Sequence, residues 1–92
     1  MRKKRRPELD AIVERVHRLL VLERYDEMLA VTAPAVERFP DDPELRLMHG
    51  TALFWSRPEE AAWQLATAVS LDKNNARLVV RGAKLLLGAR GA

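Results

Sequence analysis

Two stretches of this chain fall into register when one is slid 33 positions along the other, and that offset limits the fold more than composition does. Tyr25-Asp26-Glu27-Met28 then lies over Pro58-Glu59-Glu60-Ala61, Ala35 over Ala68, and Pro40-Asp41-Asp42 over Lys73-Asn74-Asn75. A unit of this length is one supersecondary motif that cannot bury its apolar face alone, so it must stack on its neighbour. The 92 residues hold two such units and one more element, in a single domain with a thin core.

Within each unit the apolar spacing is helical. Pro7 suits a first helical turn, where its missing N–H is no loss. Leu9, Ile12, Val13, Val16, Leu19 and Leu20 then recur at three- and four-residue steps. Glu8, Asp10 and Glu14 near the start and Arg15 and Arg18 further on suit the helix dipole. A second helix is expected from Arg24 to Arg38, with Met28, Leu29, Ala35 and Val36 inward. Pro34 falls inside it, removing a hydrogen bond at a cost of about 3 kcal/mol, so a bend or short break is expected near Ala30 to Ala33. Phe39-Pro40-Asp41-Asp42-Pro43 stops that helix and opens a third, to Trp55, with Asp42 as N-cap. Ser56-Arg57-Pro58-Glu59 has the pattern of a capping box, with a serine cap and a glutamate three later, opening a fourth helix that ends near Leu71. After the turn Asp72-Lys73-Asn74-Asn75, a fifth helix is expected from Ala76 to Leu87, ended by Gly88.

Leu, Ala and Val supply most of the packing, with only Tyr25, Phe39, Phe54, Trp55 and Trp63 as aromatics. That composition suits helices better than strands. No cysteine is present, so disulfides and thiolate metal sites are excluded, which fits a reducing compartment. The basic start is not followed by the apolar stretch of about 7–15 residues that a secretory signal needs. The longest aliphatic run, Leu19 to Leu22, is far short of the roughly 20 residues of a membrane span. A soluble, cytoplasmic protein is the expectation.

The residues in register, with Tyr25 in the inter-helix turn, Ala35, Pro40 closing the first unit, and Gly50, Ala61, Leu65 and Ala68 in the second, resemble the tetratricopeptide repeat family over residues 9–88. The offset is close to that family's repeat of about 34 residues. The sequence departs from the pattern at Met28 (usually alanine), at Lys73 (usually proline), at Pro34, and in a second hairpin turn one residue short. The resemblance implies an all-α, right-handed α-solenoid: repeat one 9–42, repeat two 43–75 and closing helix 76–88. These form one domain, 7–92, after a disordered basic tail, 1–6.

It also implies a concave face lined by the first helix of each hairpin. By repeat position that face presents Asp10, Val13, His17 and Leu20, then Glu44, Leu47, Thr51, Phe54 and Trp55, then Arg77, Val80, Arg81, Lys84 and Leu87. The partner it would suit is a protein segment, peptide or helix, with apolar anchors and an acidic end. Arg77-xxx-Arg81 is similar to the basic pair with which some family members hold a terminal carboxylate, work that suits the planar guanidinium fork. Val13, His17 and Met48 stand where those members carry Lys, Asn and Asn.

The fifth helix carries apolar residues around most of its circumference, Leu78, Val79, Leu85 and Leu86 among them, where a terminal repeat normally has a polar outer face. Self-association into a homo-oligomer through these residues is the alternative function, that of a structural module.

Charge is segregated. Residues 2–6 carry five cations and no acid. Residues 7–72 hold six arginines and all thirteen acids, and residues 73–92 carry Lys73, Arg77, Arg81, Lys84 and Arg90 without an acid. The basic run has no interleaved aromatics, so nucleic acid is an unlikely partner, one that would bind weakly and in a salt-sensitive way. No active site is recognisable. His17 is expected to face the groove and His49, at an inner packing position of the third helix, to be a partly buried hydrogen-bonding residue. The two lack zinc-ligand spacing, and the four glycines are too scattered for a phosphate loop. Ser56 and Ser70 have no activating context, and Asp41-Asp42 and Glu59-Glu60 sit at helix starts where carboxylates belong. The chain is expected to be an adaptor or assembly factor, with no enzymatic activity, cofactor or metal.

Overall fold

The computed structural model describes residues 7–75 together with 77, 80, 81 and 84. Those residues are all-helical, in the order α1 (Pro7–Val21), α2 (Tyr25–Arg38), α3 (Pro43–Leu53) and α4 (Pro58–Leu71). Residues 77, 80, 81 and 84 are also in helical conformation. The remainder of the expected fifth helix, and the tail at 1–6, lie outside the described residues. Among the described residues no helix is long and apolar enough to cross a membrane.

The stripe of α1 buries Leu9, Val13, Val16 and Leu19. Its end is set by backbone bonds from Arg24 N–H to Leu19 C=O and from Glu23 N–H to Leu20 C=O, both 2.9 Å. This is the Schellman pattern, which places Glu23 in the left-handed region at φ 56°. An antiparallel return follows, closed at its far end by Arg38 donating to Glu8 at 2.8 Å.

Pro34 leaves α2 unbroken from Tyr25 to Arg38: of the bend or short break expected near Ala30 to Ala33, the break is absent and the helix continues. Ala30, Ala33, Pro34 and Glu37 form the exposed side of the helix. The carbonyl that loses its partner, that of Ala30, is therefore on the face where water can serve it, which lowers the penalty.

Asp42 caps α3 as expected, its carboxylate accepting from Leu45 N–H at 2.9 Å. The end of α3 and start of α4 differ from expectation. α3 stops at Leu53, and the N-cap of α4 is Arg57, with no side-chain cap bond. Ser56 is thus not the cap. Proline disfavours helical geometry in the residue before it, so Arg57, at φ −140°, is forced out of the helix and takes the cap position itself.

Each helix packs on the next. Leu9, Val13, Ala35, Val36, Phe39 and Leu45 form one core cluster, and Val16, Leu19, Met28, Met48 and Ala52 form a second, both joining α1, α2 and α3. Leu47, Leu65 and Ala68 form a third between α3 and α4. α1 also touches α3 directly, whereas no Cα of α4 comes within 8 Å of α1 or α2. The α3–α4 contact is the closest: a Cβ on Gly50 would lie 2.9 Å from Cγ and Cδ2 of Leu65 and 3.3 Å from the Ala61 carbonyl oxygen. The missing Cβ there makes room for the Leu65 side chain and lets the two helices approach closely.

Candidate functional site

The face shared by α1 and α3 is held by His17, whose Nε2 lies 3.1 Å from Glu44 Oε2 across 27 residues of sequence. Both side chains are partly exposed. Beside them Leu20 is half-buried against the second core cluster. The Thr51 hydroxyl donates to the Leu47 carbonyl one turn back, at 2.9 Å.

Several expected groove residues belong elsewhere. Leu47 is fully buried against Leu65 and Ala68, so it is core and offers no surface to a partner. Val13 and Met48, two of the three positions compared with a carboxylate clamp, are also core residues, which leaves only His17 accessible. α3 is the cause. It is covered by α1, α2 and α4, and seven of its eleven residues are buried. Phe54 and Trp55 lie past the end of α3, in edge-to-face contact at 4.8 Å and 77°. Phe54 is half-buried, while Trp55 is 72% exposed.

Arg77, Arg81 and Lys84 are helical and exposed, at spacings that put them on one helix face, and Lys73 is exposed before them. Leu78, Val79, Leu85 and Leu86, the expected self-association residues, lie outside the described residues.

Two clefts were not anticipated. One, of about 400 Å³, lies between the two hairpin turns and is lined by Glu23, Arg24, Tyr25, Asp26, Glu27, Ala52, Trp55 and Ser56. The other, of about 570 Å³, has α2 and α4 as walls and α3 as floor, with Leu29, Val36, Arg46, His49, Glu60 and Gln64 among its lining. Arg46 braces its rim: Nε donates to the Pro40 carbonyl and Nη1 to Gln64 Oε1, both at 2.9 Å, and the guanidinium lies 5.7 Å from the Trp63 ring centre. At its floor, His49 Nδ1 and the Thr32 hydroxyl share a buried 2.8 Å hydrogen bond. Burial pushes the His49 imidazole below its ordinary pKa of 6.5. The Glu60 carboxylate pulls it back up, and Arg46 pushes it further down.

His49 as a buried hydrogen-bonding residue follows from its place in the apolar pattern; its partner Thr32 does not. A threonine on the stripe of α2, one turn after Met28, was the available signal. Arg46, Gln64 and Trp63 come together only through the crossing of α3 over α4, which spacing along one helix does not reveal. Comparison of the chain with protein-family models, curated proteins and solved structures finds no match.

Proposed function

We propose that this chain is a non-enzymatic protein-interaction module. In this reading it is a tetratricopeptide-like pair of helical hairpins with a closing helix, and it serves as an adaptor or assembly factor. Its leading helices α1 and α3, with Arg77, Arg81 and Lys84, form the face that receives a peptide or helix with an acidic end. The observation that carries the reading is the order of helix neighbours. α1 reaches α3, while α4 stays away from α1 and α2. A closed four-helix bundle would return its last helix to its first, whereas stacked hairpins touch only what adjoins them. The 33-residue offset and the close contact at Gly50 support the same reading.

In this reading the accessible part of the face comprises the partly exposed His17, Glu44 and Thr51 together with the exposed cations Arg77, Arg81 and Lys84. Guanidinium groups one helical turn apart suit carboxylates, whether side chains or a chain terminus.

Peptides selected against the protein from a random display library provide the test. The proposal expects acidic residues at one end of the selected consensus. It also expects at least a tenfold loss of affinity on Arg77→Glu/Arg81→Glu, with helical circular dichroism unchanged. Selected peptides that bind the double variant as tightly as the original chain would remove the basis for this face as the binding site.

A further inference from the structure

The end of α1 farthest from Pro7 carries a surface that the proposed groove does not use. Val21 and Leu22 are exposed there, and across the cleft between the two hairpin turns stands Trp55, more exposed still than Leu22. The cleft's rim is acidic. Of Glu23, Asp26 and Glu27, only Glu27 has its charge matched, by Arg24 at 2.8 Å. Among the described residues Glu23 and Asp26 have no ion-pair partner. An exposed indole beside two unmatched carboxylates suits a cation with an aliphatic stem: the charge sits over the ring or on a carboxylate while the stem covers apolar surface.

The same chain contains such a ligand. Residues 2–6 are Arg-Lys-Lys-Arg-Arg, five cations without an acid, against the net negative charge of residues 7–72. They cannot fill the cleft of their own molecule as a block. Five residues measured back from Pro7 span at most about 18 Å. Along α1 alone, Pro7 and Val21 are about 21 Å apart, and the cleft lies beyond Val21. Fully stretched, only the Arg2 side chain would come level with Glu23. A second copy meets no such limit.

We infer that the cleft between the hairpin turns receives the cationic run 2–6 of a second copy of this chain. One cation lies over Trp55 and its neighbours pair with Glu23 and Asp26. The contact sets the start of α1 in one copy against the end of α1 in another; exchanged reciprocally it closes a two-fold dimer, and left unreciprocated it propagates head to tail. Being carried by exposed charges, it weakens steeply with salt.

Two measurements together test this. In a Trp63→Phe background, where Trp55 is the sole indole, a synthetic peptide of residues 1–7 is titrated while Trp55 fluorescence is followed. Sedimentation of the original chain at high concentration and low salt reads self-association. The inference expects a saturable fluorescence change, weakened at least tenfold by Glu23→Gln/Asp26→Asn and abolished in about 0.5 M salt. It also expects a mass above that of the monomer, which deletion of residues 2–6 returns to monomer. The deletion variant keeps the cleft and should still bind the added peptide, which separates loss of the ligand from loss of the fold. A chain that stays monomeric, or association that survives the deletion, overturns the inference. Peptide binding without self-association also overturns it, since the cleft would then serve a foreign basic segment.

Discussion

α3 meets α2 on one side and α4 on the other, and the two interfaces are made differently. Toward α4 the centre of the contact is close and apolar: Gly50 brings no side chain, Ala61, Leu65 and Ala68 are fully buried against the helix, and the one polar link, Arg46 to Gln64, lies at the rim. Toward α2 the packing includes the Met28 and Met48 side chains and a buried hydrogen bond between Thr32 and His49. The difference shows that one helix can be fixed by exclusion on one face and by polar matching on the other. The first depends mainly on volume, and its buried residues Gly50, Ala61, Leu65 and Ala68 carry no ionisable group. The second carries an ionisable group and holds fully only while that group is neutral.

Substitutions that load one interface and leave the other intact would break the comparison. Gly50→Leu should have the largest effect, a loss of about 3 kcal/mol or more in urea unfolding, because even the first added carbon meets Leu65 at 2.9 Å. Gly50→Ala opposes the helical preference for alanine, about 1 kcal/mol, to that same contact, and a net loss is expected. A net gain would mean that the helices are not pinned there.

Thr32→Val comes next, at about 1–3 kcal/mol, since it leaves Nδ1 of His49 buried without a partner. The pH dependence of the same interface has a definite sign. His49 has a lowered pKa in the folded chain, so the unfolded chain binds the proton more readily. The stability from neutral burial is fully present above pH 6.5. It is lost as pH falls from there through the folded value. Urea midpoints across that window should decline more steeply for the original chain than for His49→Asn. Equal slopes would assign the acid sensitivity to other groups.

Smaller effects sharpen the contrast as controls. Asp42→Ala removes the cap of α3 itself and should cost about 1 kcal/mol at neutral pH, with the His49-linked slope unchanged. Glu23→Gly relieves the left-handed backbone at φ 56° and should raise the unfolding free energy slightly, by up to about 1 kcal/mol.

The two interfaces were not equally legible in the sequence. The close one was marked by small residues, because Gly50, Ala61 and Ala68 recur where a repeat of this length needs them. The polar one is half-visible: the inner packing position of His49 points to a partly buried, hydrogen-bonded residue, but threonine is common enough that Thr32 carries no flag. Leu47 was misplaced from the sequence for a related reason. Repeat position says which way a residue points, but burial depends on what lies in that direction, and α4 contributes Leu65 and Ala68 there. Ser56 shows a local limit: a capping-box pattern lost to the backbone restriction that Pro58 places on Arg57. The clefts were invisible because each joins residues from separate hairpins.

The helix order on which this account rests can be measured directly by nuclear Overhauser contacts between assigned side chains in solution. Contacts of Met48 with Val16, and of the Gly50 α-protons with the Leu65 methyls, are expected, with none linking α4 to Leu9, Val13 or Val36. Contacts between the Leu65 or Val69 methyls and the side chains of α1 would instead place the last helix back on the first. The stacked-hairpin arrangement behind the proposed binding face would then fail.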